Sequence, residues 1–317
     1  MSSTRVAAID CGTNSIRLLV ADVADDGTLS ELDRRMEIVR LGQGVDRTGE
    51  LAPEALARTL AATREYATVA GELGATRVRF VATSATRDAR NRDEFVTGVR
   101  AALGVDPEVV TGQEEALLSF RGATSGSASA HPGPYLVVDL GGGSTELVLG
   151  TTTPEAAISM DVGSVRLTER HLRSDPPTAH EVEQARADVT AALDAASAVV
   201  PLGRTATLVG LAGSVTTVTA HALGLPAYRR EAVNGTVLSV GEVLTACDDL
   251  LVRTREQRLA LGFMHPGRAD VIGAGALVWA QVVQRVRDAV AATGGELTQV
   301  VTSESDILDG IALSLAD

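Results

Sequence analysis

Two short segments of this sequence share a pattern that could bind an anion. In each, an apolar run ends in Asp-x-Gly and is followed by small polar residues and a second apolar run, at residues 9–15 and 138–146. Glycine lets backbone N–H groups approach an anion closely, and Ser or Thr hydroxyls add further donors. The Asp in each segment, Asp10 or Asp139, can bind a metal ion directly or through water. Taken singly, either segment is also explained as an ordinary hairpin turn, because Gly and Asn favour turns.

The duplication favours phosphate binding over two unrelated turns. The two segments lie about one domain length apart, with their Asp residues in register. Two such loops facing each other across a cleft would hold a phosphate chain through their backbone N–H groups. The expected donors to the terminal phosphates lie within or beside the loops: Asn14, Gly141, Gly142 and Ser144.

The basic residues restrict how such an anion can be held. All 28 of them are arginine, against 41 Asp plus Glu, for a formal net charge of -13. The absence of lysine excludes a Walker-type lysine, a kinase strand lysine and a Schiff-base lysine. Arg87 follows a predicted buried strand at residues 77–82, and ligand-binding loops follow the strands of α/β sheets. Because a guanidinium can bind two phosphate oxygens, Arg87 is the predicted phosphate clamp. Arg17 is a second candidate, whose direction strand alternation leaves open.

The rest of the composition excludes several other classes of protein. Four Phe, three Tyr and one Trp, together with the negative charge, argue against a nucleic-acid-binding surface. Two cysteines and five scattered histidines form neither a disulfide framework nor a zinc spacing. No signal peptide is visible, and the stretch without Asp, Glu or Arg at residues 205–228 is better explained as strand, glycine turn and helix than as a membrane span. These features predict a cytoplasmic protein that binds neither nucleic acid nor membranes.

The elements that must position these residues alternate between strand and helix, which predicts an α/β fold with two related halves. Each half opens with two apolar strands around its loop, followed by helices and further strands. The predicted strands lie at residues 6–11, 15–23, 31–41, 77–82, 108–110, 135–140, 144–150, 205–209 and 299–302. The predicted helices lie at residues 53–73, 85–89, 93–103, 113–121, within 162–200, after 214, and at 240–253, 255–261, 269–292 and 305–315. Residues 122–134, rich in Gly, Ser, Ala and Pro, form the predicted linker. We therefore place the domains at residues 1–125 and 126–317, with the last helix able to pack back on the first domain.

Six motifs in this sequence resemble those of the exopolyphosphatase and guanosine pentaphosphate phosphatase family. The two loops, Asp10-Cys-Gly-Thr-Asn-Ser15 and Val138-Asp-Leu-Gly-Gly-Gly-Ser-Thr-Glu146, are similar to the phosphate loops of that family. The other four are Thr83-Ser-Ala-Thr-Arg-Asp-Ala-Arg-Asn91, Thr111-Gly-Gln-Glu-Glu-Ala116, Gly210-Leu-Ala-Gly-Ser214 and Arg268-Ala-Asp-Val-Ile272. Together they span nearly the whole chain in the order in which the family has them.

This resemblance implies two related actin-like, or ribonuclease H-like, domains with the active site in the cleft between them. The family's catalytic glutamate corresponds to Glu115, which would orient and deprotonate a water for in-line attack on the terminal phosphorus. Glu146 would position that water or a metal-bound water. Asp10 and Asp139 would lie near Mg²⁺, which is commonly shared between one or two carboxylates and substrate phosphates. Without the surrounding motif, Glu115 would be explained as a solvated first-turn carboxylate favoured by the helix dipole.

The activity that the resemblance implies is that of a Mg²⁺-dependent exopolyphosphatase, which releases orthophosphate from the end of inorganic polyphosphate. A guanosine pentaphosphate 5′-phosphohydrolase is the alternative, since both substrates end in a phosphoanhydride and the loops cannot separate them. An ATP-dependent sugar kinase is less consistent with the motifs at residues 83–91 and 111–116. A non-enzymatic polyphosphate or alarmone sensor is less consistent with the presence of both Glu115 and Glu146.

Other expectations concern the rest of the chain. The turn at residues 210–214 could contact a nucleoside or serve only as a strand-to-helix turn, and Arg268 and Asp270 could form an ion pair or line a channel. A homodimer is expected from the family. Longer relatives append a helical region that resembles HD-type hydrolases, whereas this sequence ends at Asp317 without a His-Asp dipeptide. It therefore resembles the short two-domain form, for which we expect a preference for shorter polyphosphate chains.

Overall fold

The computed structural model describes residues 3–126 and 130–316. It has a mixed α/β fold with two β-sheets, which confirms the predicted fold class. The strands are β1 (Ser3–Cys11), β2 (Ser15–Ala24), β3 (Leu29–Ile38), β4 (Arg77–Ala82), β5 (Glu108–Val109), β6 (Tyr135–Leu140), β7 (Thr145–Gly150), β8 (Pro154–Met160), β9 (Thr207–Leu211), β10 (Val237–Ser239) and β11 (Gln299–Thr302). The helices are α1 (Val45–Thr48), α2 (Pro53–Glu72), α3 (Ser84–Asp88), α4 (Arg92–Leu103), α5 (Gly112–Ser125), α6 (Ser164–Arg170), α7 (Ala179–Ser197), α8 (Ala212–Ala222), α9 (Arg230–Val233), α10 (Val240–Val252), α11 (Arg255–Leu259), α12 (Ile272–Ala292) and α13 (Ile307–Ser314). None of the helices within these two ranges is both long and apolar enough to span a membrane.

The chain divides into two compact units. Unit 1 comprises Met1–Gly122 together with Ile307–Asp317, and unit 2 comprises Ala123–Asp306. The last helix, α13, therefore belongs to the same unit as the first strands. It packs so closely on α5 that a side chain at Gly310 would collide with the Leu118 carbonyl oxygen at 2.0 Å.

The predicted linker at residues 122–134 begins too early. Helix α5 continues to Ser125, because Gly122 and Ala123 are buried and extend the packed side of the helix. Residues 127–129 of the predicted linker lie outside the described part of the chain.

The sheet of unit 1 has the strand order β3-β2-β1-β4-β5. The first three strands form an antiparallel meander, whereas β4 pairs parallel with β1, and β5 pairs parallel with β4. One face packs against α2 and α4 through Tyr66, Phe80 and Phe95, and the two Phe rings meet edge to face at 5.9 Å. Alternate residues of β1 face the other way and pack against Leu308 and Ile311 of α13. Both faces of the sheet are therefore buried.

The sheet of unit 2 repeats this arrangement in the order β10-β11-β9-β6-β7-β8. The meander β6-β7-β8 corresponds to β1-β2-β3, and β9 runs parallel to β6 as β4 does to β1. The edge strand β8 was not predicted, because it becomes a strand through pairing with β7 rather than through local propensity. The predicted helical region at residues 162–200 forms α6 and α7, which are separated where Pro176 and Pro177 cannot continue a helix.

The carboxyl ends of the parallel strands carry the segments that the sequence analysis singled out. In unit 1, loop 1 (residues 12–15) follows β1, while α3 with Arg87 follows β4, and α5 with Glu115 follows β5. In unit 2, loop 2 (residues 141–144) follows β6, and the start of α8 follows β9. Each sheet thus gathers its motifs at one edge, which is where open α/β sheets bind ligands.

Candidate functional site

Loop 1 is a tight hairpin with an ion pair beside it. The Gly12 N–H donates to the Ser15 carbonyl oxygen at 2.9 Å. Asp10 lies next to last in β1, and its cross-strand partner is Arg17. The Arg17 guanidinium donates to Asp10 Oδ2 through Nη2 at 2.6 Å and through Nε at 3.0 Å. Arg17 therefore points to the same face of the sheet as Asp10, which resolves the direction that strand alternation left open.

The segment directly after β3 braces loop 1 from one side. The Gly42 N–H donates to the Thr13 carbonyl oxygen at 2.8 Å, and the N–H groups of Val39 and Arg40 donate to the Asn14 carbonyl oxygen at 3.1 and 2.9 Å. In a trans peptide the N–H group points opposite to the preceding carbonyl. The N–H groups of Asn14 and of the residue after it therefore face away from the brace, where an anion could accept from them.

Thr13 is a residue of loop 1 that the sequence analysis did not single out. Its side chain is buried, and its hydroxyl oxygen has no hydrogen-bond partner within the described residues. Gly42 approaches so closely that a Cβ on it would collide with Thr13 Cγ2 at 2.2 Å. A buried hydroxyl without a partner is costly, so Thr13 is a candidate donor to a bound oxyanion or water. The only signal for it in the sequence was its place inside the loop.

Loop 2 has the same backbone turn but a different pair of side chains beside it. The Gly141 N–H donates to the Ser144 carbonyl oxygen at 3.0 Å, as Gly12 does in loop 1. The cross-strand partner of Asp139 is Glu146, in the register position that Arg17 occupies opposite Asp10. Asp139 is 6% exposed and Glu146 is 1% exposed, and the Ser159 hydroxyl donates to Glu146 Oε1 at 2.7 Å. Where unit 1 has an acid beside a base, unit 2 therefore has two buried acids.

The first residues of α6 brace loop 2 in the way that the segment after β3 braces loop 1. The Ser164 N–H donates to the Gly141 carbonyl oxygen at 3.0 Å, and the Val165 N–H donates to the Gly142 carbonyl oxygen at 2.8 Å. The Gly142 carbonyl also accepts from the Arg166 N–H at 3.1 Å. By the same peptide geometry, the N–H groups that follow these carbonyls point away from α6. Loop 2 therefore presents a row of N–H groups of the kind that binds anions.

The residues present are suited to Mg²⁺ in unit 2. Directly opposed residues of an antiparallel pair have Cβ atoms about 4.5–5.5 Å apart on one face, so Asp139 and Glu146 can converge on one cation. No group of three His, Cys, Asp or Glu residues suited to a metal occurs among residues 3–126 and 130–316. Two carboxylates still match Mg²⁺, which keeps several waters and uses one or two carboxylates with substrate phosphates. Asp10 is less suited, because Arg17 already compensates its charge.

Arg87 and Glu115 meet in unit 1. Arg87 Nη1 donates to Glu115 Oε2 at 3.1 Å and to the Val110 carbonyl oxygen at 2.9 Å. The side chain of Arg87 is 25% exposed and that of Glu115 is 10% exposed. Both contacts use Nη1, so the remaining N–H groups of the guanidinium can donate to phosphate oxygens while the ion pair orients the carboxylate.

The start of α5 explains why Glu115 lies inward and its neighbour does not. Thr111 precedes the helix, and its hydroxyl accepts from the Glu114 N–H at 3.2 Å, which is the contact of a helix N-cap. The Glu115 N–H donates to the Thr111 carbonyl oxygen at 2.9 Å. Consecutive residues of a helix point in different directions, so Glu115 is buried whereas the side chain of Glu114 is 48% exposed.

Packing accounts for the small residues of the turn at 210–214. A side chain at Gly210 would meet Trp279 at 2.7 Å, and one at Gly213 would meet the guanidinium carbon of Arg268 at 2.3 Å. Arg268 Nη1 donates to the Gly213 carbonyl oxygen at 3.1 Å, and Asp270 pairs with Arg255. The internal packing of unit 2 therefore accounts for Gly210, and Gly213 leaves room for the Arg268 guanidinium, whether or not a nucleoside binds there.

Comparisons with known proteins show the family of the chain. The family model described as the Ppx/GppA phosphatase family matches residues 19–293. Exopolyphosphatase 2 of Mycobacterium tuberculosis is 52% identical over 326 residues, which covers 100% of this chain and 100% of that protein.

Solved structures give the same result. The crystal structure of an exopolyphosphatase-like protein superposes with a TM-score of 0.96 and 48% identity, covering 99% of this chain and 98% of that one. The Ppx/GppA enzyme of Aquifex aeolicus superposes with a TM-score of 0.80 and 31% identity, covering 99% of this chain and 100% of that one. These similarities extend over both units rather than over the loops alone.

Proposed function

Because the chain belongs to the Ppx/GppA phosphatase family, we propose that it is an exopolyphosphatase that hydrolyses the terminal phosphoanhydride of inorganic polyphosphate. The observation that carries the proposal is the buried Glu115 carboxylate, held at 3.1 Å by Arg87 at the carboxyl edge of the unit 1 sheet. A carboxylate fixed in this way can act on a water, and the guanidinium beside it can bind the phosphate that the water attacks.

Unit 1 supplies the base in this proposal. Glu115 orients a water in line with the terminal phosphorus and accepts its proton as the new P–O bond forms. The bond between that phosphorus and the bridging oxygen breaks, which releases orthophosphate and a chain shortened by one phosphate. Arg87 compensates negative charge on the terminal phosphoryl oxygens, and the Asn14 N–H of loop 1 donates to a phosphate oxygen.

Unit 2 supplies donors and a cation site. The N–H groups of loop 2, including those of Gly142 and Ser144, donate to terminal phosphate oxygens. Gly141, which the sequence predicted as a further donor, uses its N–H within the turn and so shapes loop 2 instead. Glu146 orients water, and together with Asp139 it would hold Mg²⁺. When bound, Mg²⁺ supplies compensation for the negative charge of the phosphate chain. Asp10 is already paired with Arg17, so in this proposal it contacts the metal only through a water molecule.

Guanosine pentaphosphate is the second candidate substrate, since it ends in the same bond and the motifs resemble those of a family that includes guanosine pentaphosphate phosphatases. A kinase or a non-enzymatic sensor receives no support from the opposed acids Asp139 and Glu146 or from the Arg87–Glu115 pair. We also propose a cytoplasmic location and a homodimer.

The test is phosphate release from tripolyphosphate, long-chain polyphosphate, guanosine pentaphosphate and ATP, each with Mg²⁺ and with excess EDTA. We expect Mg²⁺-dependent release from the polyphosphates, faster from tripolyphosphate than from the long chain. Faster release from guanosine pentaphosphate would replace the proposed substrate with the second candidate. No release from any polyphosphate, or ATP consumption only with an added sugar, would contradict the proposal.

A further inference from the structure

We propose that Arg166 is a positioning residue that sets the direction and donor strength of the loop 2 N–H groups. This inference rests on the proposed function, because it assigns a task to those groups. Arg166 lies in the first turn of α6, and its Nε donates to the Gly143 carbonyl oxygen at 2.7 Å. Its side chain is only 11% exposed, so the guanidinium is held against the loop rather than in solvent.

Arg166 completes a set of contacts to three consecutive carbonyls. The Gly141 and Gly142 carbonyls accept from backbone N–H groups at the start of α6, as described above. The Gly143 carbonyl instead accepts from the Arg166 side chain. This last contact is a side-chain anchor on the residue before Ser144. Without it, the Gly143–Ser144 peptide would lose the contact that fixes its rotation.

The same contact polarises the peptide that would touch the substrate. The Gly143 carbonyl and the Ser144 N–H belong to one amide group, and they point in opposite directions. A charged donor on the carbonyl oxygen draws electron density from the amide, which makes the Ser144 N–H a stronger donor. A guanidinium on one side of loop 2 thus strengthens the bond to an anion on the other.

The apolar packing of α6 involves the residues on either side of Arg166 in the sequence. Val165 and Leu167 are buried at 8% and 0% exposure and anchor the helix in the core of unit 2. The guanidinium also lies 3.8 Å from Asp161, whose side chain is 77% exposed, so solvent screens that pair. We expect loss of the guanidinium to change loop 2, and thermal unfolding of the variants measures any effect on the stability of unit 2.

The experiment compares Arg166→Met, Arg166→Lys and the control Arg170→Met in the full chain. Methionine keeps most of the aliphatic part of the side chain, and lysine keeps the positive charge without the planar guanidinium. The control residue Arg170 lies on the same helix, 3.7 Å from Asp188. Thermal unfolding checks the fold of each variant. Two readouts follow: kcat and KM for tripolyphosphate with Mg²⁺, and the calorimetric affinity for tripolyphosphate in EDTA, which does not require turnover.

We expect Arg166→Met to lower kcat by about tenfold to a hundredfold and to weaken tripolyphosphate binding by a smaller factor, because a donor aimed at developing charge acts mainly in the transition state. Arg166→Lys should recover part of kcat, and Arg170→Met should match the wild type. Wild-type kcat in Arg166→Met, or an equal loss in Arg170→Met, would overturn the proposal. If Arg166→Met does not fold, an Arg166→Lys variant that folds with unchanged kcat and affinity would overturn it as well.

The two readouts also separate this inference from the proposed function. If the wild-type protein releases no phosphate from polyphosphate, the proposed function is wrong. The role of Arg166 is then tested by the affinity for tripolyphosphate alone. Weaker binding in Arg166→Met than in Arg170→Met would then still support it. Equal affinity in the two variants would overturn it.

Discussion

Replacing Gly163 with alanine tests whether the position of loop 2 controls turnover. Gly163 directly precedes α6, and an added Cβ would lie 2.5 Å from the Gly142 carbonyl oxygen and 2.7 Å from the Gly143 carbonyl carbon. These are backbone atoms, which cannot rotate out of the way as the end of a side chain can. Gly163 has φ −155° and ψ 167°, an extended conformation that alanine adopts without strain. The effect of the substitution is therefore steric.

The size of the displacement follows from these distances. A comfortable contact for a Cβ begins at 3.4 Å, and the shortest contact here is 2.5 Å, so loop 2 or α6 must move by about 0.9 Å. A misplacement of about 1 Å in a group that orients substrate can lower a rate by about a hundredfold. Overpacking of this kind costs about 1–3 kcal/mol in the free energy of unfolding. For a domain of the size of unit 2, each kcal/mol corresponds to about 2–4 °C in Tm.

The assay measures kcat/KM for tripolyphosphate and Tm for Gly163→Ala beside Gly71→Ala. Gly71 lies on the exposed side of α2, and an added Cβ there would have no atom within 4 Å. The control should keep wild-type activity and gain about 0.5–1 kcal/mol from the helix propensity of alanine. Wild-type kcat/KM in a folded Gly163→Ala variant would refute the reasoning that loop 2 must hold its position.

Three further predictions concern other contacts. Glu146→Gln should raise the free energy of unfolding in EDTA by about 1–3 kcal/mol, because it removes repulsion between two buried carboxylates. Electron paramagnetic resonance should show that the same variant binds Mn²⁺ more weakly than the wild type does. Lower stability together with unchanged Mn²⁺ binding would contradict the pairing of these two acids. Arg87→Met should lower kcat/KM by about a hundredfold or more. The control Arg90→Met should not lower it, because the Arg90 side chain is 73% exposed. Equal kcat/KM in the two variants would show that Arg87 is not part of the site. Burial raises the pKa of the Cys11 and Cys247 thiols, so both stay protonated near neutral pH. Both thiols should therefore react with a thiol reagent only after the protein unfolds in urea. Rapid reaction of the native protein would show that the two cysteines are not buried.

The strands around the two loops were predictable because their signal is local. An apolar run, a glycine turn and a second apolar run specify a hairpin, and its register then follows from the number of residues in the turn. The turns of loops 1 and 2 have the same length, so the positions of Arg17 and Glu146 opposite Asp10 and Asp139 could have been read from the sequence. By contrast, β8 and β10 depend on their neighbours in the sheet and carry little signal of their own.

The side-chain contacts of the site were harder to foresee. Arg87 and Glu115 are 28 positions apart and meet only because β4 and β5 pair in parallel and end at the same edge. The bond from Arg166 to Gly143 depends on where α6 begins, and the strand β8 that leads to this helix was not predicted. Such contacts arise from tertiary packing, which a pattern of residue types does not encode.

The central claim is that Glu115 is the base that activates water, and Glu115→Gln tests it most directly. The matched control is Glu114→Gln, one position earlier on the same helix and 48% exposed. The measurement is orthophosphate release from tripolyphosphate with Mg²⁺, together with tripolyphosphate affinity by calorimetry. We predict that Glu115→Gln loses about a hundredfold to ten-thousandfold in kcat, as expected for a general base, while it keeps its affinity within about threefold and Glu114→Gln behaves as the wild type. Wild-type kcat in a folded Glu115→Gln variant would contradict the claim.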